Sequence, residues 1–202
     1  MTTALVFAGA LLLAPAVLSN QANAQILGYA PAPRSLFPAD HFMTDEGGSL
    51  PERLRRATVA FDTREALGTI IIDTGNTALY YVLGRGQAIR YGVGVGRDGF
   101  TWSGVQTISR KAEWPDWYPP AEMVARQPYL PRFVAGGPGN PLGARAMYLG
   151  TTVYRIHGTN RPDTIGTKVS SGCFRLVNND VADLYDRVPV GTKVVIRQKP
   201  EL

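Results

Sequence analysis

The chain has 202 residues, 45% of them hydrophobic and 18% charged, a balance that excludes general disorder. Its 22 Gly are far too few for collagen, and its length fits one domain with extensions or two small domains. A formal charge of +5 suits acidic partners of any kind: nucleic acid, anionic lipid or carboxylate-bearing substrates.

Residues Ala4–Leu18 form an apolar run of 15 residues, short of the roughly 20 that span a bilayer. Ala22-Asn23-Ala24 follows as a small-x-small cleavage signature. Residues 1–24 therefore read as a secretory signal peptide, although no Lys or Arg precedes the run. The other reading is an uncleaved membrane anchor. Either one puts residues 25–202 outside the cytoplasm, in a bacterium the periplasm. A chain of that size buries roughly 70% of its unfolded surface, enough for a core without staples.

Residues 25–57 are rich in Pro, Ala and small polar residues and predict a lead segment, with one short helix near Pro51–Arg56. His41 sits there and is a poor catalytic candidate, because a general base needs a fixed position. From about Thr58 to residue 199 the chain reads as one domain. Thr69–Asp73 and Ala78–Leu83 flank turn residues and predict a hairpin. Ala88–Val95 predicts a third strand and Val105–Lys111 a fourth. Pro120–Arg126 predicts a short helix with Pro leading it. Residues 128–142 predict a loop, and Ala146–Leu149 and Val153–Ile156 two short strands. Val181, Leu184, Tyr185 and Val188 make one apolar helical stripe, capped by Asn178 or Asn179 and stopped by Pro189. Lys193–Arg197 predicts a closing strand. The fold class is mainly β, a barrel or sandwich of short strands with one or two helices.

The scarce residues carry the chemistry. The single Cys excludes an intrachain disulfide and a Cys-rich zinc site, and with His41 poorly placed the His and Cys supply stops at two, short of the three or four ligands zinc takes. His157 and Cys173 lie 16 residues apart, each beside a Gly and each at the end of an apparent strand. A Cys reacts as thiolate, and a nearby imidazole can take its proton. Backbone N–H groups around Gly172 can stabilise an oxyanion. Arg175, on the same strand face as Cys173, can hold a carboxylate in two hydrogen bonds. The competing reading is a buried, inert Cys with a core His. A papain-like dyad is a further alternative, but His precedes Cys here and no papain-like signature surrounds Cys173. Trp102, Trp114 and Trp117 read first as core or loop anchors.

The segments HGTN, SSGCFRL, NNDVADLY and VGTKVVI, with the upstream GGPGNPLGARAMYL and GTIIID…LYYVLGRGQAIRYGVGVGR, resemble the L,D-transpeptidase (YkuD-type) catalytic domain. The resemblance covers roughly Thr58–Arg197. It implies an exported bacterial enzyme that remodels peptidoglycan without metal or organic cofactor. In that family a Cys attacks a tetrapeptide stem after its third residue, usually meso-diaminopimelate. D-Ala leaves, and the thioester is resolved by an amine of a second stem, giving a 3→3 cross-link, or by an amine of an envelope protein.

Carried over by position, the resemblance makes Cys173 the nucleophile and His157 the base and then the acid. The Gly158 carbonyl orients the ring, and the Gly172 and Cys173 amides form the oxyanion hole. Arg175 lies near substrate, and Ser171, Tyr148 and Arg145 are further candidate contacts. Many members carry His where this chain has Ser171, which leaves the acid–base role to His157 alone. Two other functions share these motifs: an L,D-carboxypeptidase resolved by water, and a non-catalytic peptidoglycan-binding module.

Overall fold

The computed structural model describes residues 50–198, which belong to one compact unit. The expected signal peptide, most of the lead segment and His41 lie outside the described residues. Eleven strands and two helices make the fold mainly β. Nine strands form one sheet in the order β1-β4-β3-β2-β11-β6-β7-β8-β10. They are β1 (Ala57–Ala60), β2 (Ile70–Asp73), β3 (Ala78–Gly84), β4 (Gln87–Gly92), β6 (Gly104–Glu113), β7 (Arg145–Leu149), β8 (Arg155–His157), β10 (Phe174–Arg175) and β11 (Lys193–Arg197). A parallel pair of β5 (Val95–Gly96) and β9 (Lys168–Ser170) stands beside it.

The long strand β6 belongs to both halves of the sheet. Its first residues, Gly104–Thr107, pair with β11, and Ile108–Glu113 pair with β7. Between them the register shifts around Ser109, whose hydroxyl donates to the Gly150 carbonyl at 2.7 Å. A bulge of this kind bends and twists its strand. The sheet folds over there without closing, since β1 and β10 end the strand order unpaired with each other. The result is a sandwich. Its core takes Ile70, Ile72, Leu79 and Tyr91 from one half and Ile108, Met147, Leu149, Ile156 and Phe174 from the other.

The hairpin β2–β3 forms as its β-branched runs predict. The predicted third strand is broken: β4 stops at Gly92 and β5 starts at Val95. Gly94 instead pairs with Arg175 in an isolated bridge, which ties this segment to β10. The strand predicted at Val153–Ile156 is shifted to Arg155–His157, because Thr151–Val153 complete the turn after β7. The helix α1 (Ala121–Arg126) forms where Pro120 predicts it but buries no residue. The predicted helix near Pro51–Arg56 is one 3-10 turn, Glu52–Leu54. Leu50 and Leu54 pack on Ile165 and Val177, so the folded unit includes the end of the predicted lead segment.

The stripe helix is α2 (Asn178–Arg187), with Val181, Leu184 and the following Val188 buried in the core. Burial of each such side chain is worth about 1.5–3 kcal/mol. Asn178 does not cap this helix. The cap position is Val177, and Asn178 is the first helical residue. Its Oδ1 accepts from the Ala144 and Thr159 N–H groups at 2.9 and 3.3 Å, and its Nδ2 donates to the Thr159 carbonyl at 2.9 Å. The cap residue was predicted from local hydrogen bonding, but tertiary demand for this amide prevails.

Asp180, in the first turn of α2, is 4% exposed. Arg56 approaches its Oδ1 at 3.6 Å, while its Oδ2 is buried without a hydrogen-bond partner. Burial pushes its carboxyl up to about 6; Arg56 opposes this, and Asp183 adds to it. A folded-state value raised above the unfolded one stabilises only in acid, and the gain is lost as pH rises through about 6. The expectation is that Asp180→Asn is more stable than wild type at neutral pH, by on the order of 1 kcal/mol. That advantage should vanish near pH 4, as urea unfolding at several pH values would show. A destabilised Asn variant at neutral pH would mean that the Arg56 pair outweighs the burial.

Candidate active site

Two short parallel strands build the site. In the β8–β10 register, Ile156 faces Phe174 and His157 faces Arg175. Ile156 and Phe174 point into the core, fully buried. By the two-residue alternation of strands, Arg155, His157 and Arg175 share the opposite face. Cys173, one residue before β10, stands beside Arg155, whose charge and backbone N–H both favour its thiolate. All four residues line one pocket of about 240 Å³, with Ser170 and Ser171. Its other wall comes from the segment around α1 and the loop before β7, including Trp117, Met123, Leu130 and Leu142. A larger cleft of about 450 Å³, lined by Arg53, Tyr80, Arg90 and Lys168, contains neither His157 nor Cys173.

The imidazole is held by its neighbour. His157 Nδ1 lies 2.6 Å from the Gly158 carbonyl. A carbonyl only accepts, so Nδ1 carries the proton and Nε2 is left as the basic nitrogen. Burial, together with the Arg175 and Arg155 charges, lowers the His157 value to about 3, a net effect that the Gly158 and Leu142 carbonyls partly oppose. Burial pushes the Cys173 thiol up, and the Arg155 charge, the Arg155 N–H and then Arg175 draw it partly back. Both shifts favour the uncharged forms, thiol and imidazole.

The loop carrying Cys173 is fastened from three sides. Ser170 Oγ donates to the Cys173 carbonyl at 2.6 Å and accepts from the Gly172 N–H at 3.2 Å. Trp102 Nε1 donates to the Gly172 carbonyl at 3.0 Å. The Trp102 ring stacks on Tyr154 at 4.8 Å, so this Trp anchors the loop. Gly172 has φ +102°, and a Cβ there would run into the Tyr154 ring. Only glycine satisfies both conditions.

The candidate residues separate into two groups. His157, Cys173, Arg175 and Ser171 come together, and the Gly158 carbonyl and Gly172 amide lie beside them. Tyr148 and Arg145 do not line this pocket. Tyr148 lies in an adjoining cleft. Arg145 pairs with Glu113 at 3.3 Å and lies over the Tyr185 ring. The Gly172 N–H is directed to Ser170 rather than into open space. Ser170 and Arg155 were missed by sequence reasoning. Ser170 is recognisable only through its bonds to the loop. Arg155 could have been found from its two-residue offset to His157. Among the described residues, no group of three His, Cys, Asp or Glu side chains is placed to hold a metal ion.

The model of the L,D-transpeptidase (YkuD) catalytic domain matches residues 68–196. The chain belongs to the L,D-transpeptidase family. It is 40% identical over 140 residues to a probable L,D-transpeptidase, ErfK/SrfK, of Escherichia coli strain K12, covering 65% of this chain and 44% of that protein. It is 40% identical over 129 residues to a putative L,D-transpeptidase of Fuscovulum blasticum, covering 62% of this chain and 67% of that one. The chain thus spans less than half the length of the Escherichia coli relative.

Among solved structures, an L,D-transpeptidase from Mycobacterium smegmatis aligns with TM-score 0.52 at 17% identity, over 64% of this chain and 58% of that one. The catalytic domain of an Enterococcus faecium L,D-transpeptidase aligns with TM-score 0.52 at 18% identity, over 67% of this chain and all of that domain. Both share the fold of this L,D-transpeptidase-family chain.

The raised Cys173 value has a measurable consequence. Alkylation of Cys173 by iodoacetamide, followed by intact mass, should be slow at neutral pH and keep climbing beyond the range of an ordinary thiol. The thiolate is the reactive form, and its fraction grows as pH rises towards the raised value. A rate plateau between about pH 4 and pH 7 would instead reveal a thiolate–imidazolium pair.

Proposed function

We propose that this chain is a peptidoglycan L,D-transpeptidase that works through a thioester on Cys173. The observation that carries this reading is that Cys173 lines one largely apolar pocket together with an imidazole whose Nδ1 is fixed on the Gly158 carbonyl. A tetrapeptide stem enters as the acyl donor. Arg175 holds a stem carboxylate beside the sulfur. Nε2 of His157 takes the thiol proton as the sulfur attacks the carbonyl carbon after the third stem residue. Because both shifts favour the uncharged forms, proton transfer accompanies attack rather than preceding it.

The Cys173 N–H supports the oxyanion, joined by the Gly172 N–H once that group turns from Ser170. The imidazolium then returns its proton to the departing D-Ala amine. An amine of a second stem resolves the thioester into a 3→3 cross-link. The apolar run at Ala4–Leu18 supports export, and the positive charge suits a polymer bearing carboxylates.

Wild type and variants are to be incubated with a disaccharide-tetrapeptide and the products weighed. Cross-linked dimers that have lost D-Ala are expected from wild type and none from Cys173→Ala. His157→Ala should lose roughly 10²–10⁴-fold in rate. Near-normal turnover by either variant would overturn the role given to that residue. Tripeptide without dimer would make water the acceptor and the chain an L,D-carboxypeptidase. If the stem is unchanged and a carbapenem fails to acylate Cys173, the chain is a binding module.

A further inference from the structure

An acyl transfer needs two molecules at one sulfur, so a second substrate must reach the thioester while the first fills the catalytic pocket. Arg155 marks where the two meet. It lines the catalytic pocket, and it also lines a separate cleft of about 380 Å³ with Arg110, Asp116, Tyr118 and Tyr148. The two clefts therefore share one wall, and the residue of that wall lines the catalytic pocket together with Cys173.

The second cleft is built for an anion. The Arg110 and Arg155 guanidinium groups both lie over the Tyr148 ring, with Cζ 3.6 and 5.2 Å from its centroid. Stacking on an aromatic ring restrains a planar guanidinium and leaves its edge donors available. Neither arginine forms an ion pair among the described residues. Arg155 Nη2 donates to the Val153 carbonyl at 3.1 Å, and its Nε is buried with no hydrogen-bond partner. The one carboxylate in the lining, Asp116, accepts from the Gly136 N–H at 2.8 Å. Both cations line the cleft without an ion-pair partner, and a guanidinium can take a carboxylate in two hydrogen bonds.

We infer that the cleft lined by Arg110, Tyr148 and Arg155 is the acceptor subsite, and that it selects an amine carrying a carboxylate on the same carbon. This inference rests on the thioester reading. The arginines of this cleft bind the carboxylate, and the adjoining amine is placed at the shared wall. The amine nitrogen bonds to the thioester carbonyl carbon and the C–S bond breaks. Nε2 of His157 takes the proton that the nitrogen loses and returns it to the departing sulfur. A diaminopimelate side chain has this amine–carboxylate arrangement, and a protein lysine does not. The subsite thus favours a second stem over an envelope protein. Tyr148 acts here as a positioning residue for the two arginines.

The test compares meso-diaminopimelate with 1,5-diaminopentane, the same diamine without carboxylates, as acceptors from a tetrapeptide donor. Arg110→Ala and Arg110→Lys are compared with wild type, and both steps are followed by intact mass. Wild type should prefer diaminopimelate. Arg110→Ala should acylate Cys173 within about twofold of wild type and lose tenfold or more in kcat/KM for diaminopimelate, with diaminopentane unaffected. Arg110→Lys should recover part of that loss. An equal loss for both amines, or a parallel loss of acylation, would overturn the subsite.

A second measurement does not depend on the chemistry. Diaminopimelate added to the Cys173→Ala chain should shift the Arg110 and Arg155 Nε–Hε resonances, and Arg110→Ala should abolish the Arg155 shift. No shift in Cys173→Ala would overturn the subsite. Failure of wild type to acylate at all, with the shifts present, would overturn the thioester reading and leave the anion cleft standing.

Discussion

The parallel register between β8 and β10 is the constraint on which the site depends. Two residue pairs, Ile156 with Phe174 and His157 with Arg175, set it. Because strand side chains alternate, a slip by one residue would turn His157 into the core and Ile156 into the pocket. The register is held by burial on the other face, where Ile156 and Phe174 sit within the main core. Hydrophobic packing on one side of two very short strands thereby positions the polar groups on the other. The bridge between Gly94 and Arg175 and the pair β5–β9 support the same strands from beside them.

Electrostatics in the pocket follow from that placement. The lining supplies Arg155 and Arg175 but no carboxylate. Two cations and burial disfavour a charged imidazole, while the same cations favour a thiolate. Burial outweighs the cations at the sulfur too, so both shifts favour the uncharged forms.

Legibility of the fold differed between elements for physical reasons. The stripe of Val181, Leu184 and Val188 was readable because one helix face meets one core, and periodicity records that meeting. The hairpin β2–β3 was readable because its strands are adjacent in sequence. The break at Val93–Gly94 was not, since it answers to a partner, Arg175, some eighty residues away. Asn178 misled for the same reason. Its side chain looks like a cap locally, yet it serves Ala144 and Thr159 across the molecule.

The sequence by itself determined which side chains are available for chemistry. One Cys, a His beside Gly158 and an Arg two residues past the Cys leave few alternatives for reactive groups, and their motifs identify the family. Which residues meet was decided by the tertiary structure alone. Tyr148 and Arg145, read as cleft contacts, lie outside the catalytic pocket because β7 runs on the far side of β8 from Cys173. Ser170 and Arg155 enter the site through long-range pairing and backbone hydrogen bonds, which side-chain identity does not encode. Residue type sets what a group can do. Register and burial, which depend on the whole core, set where it stands and which proton it holds.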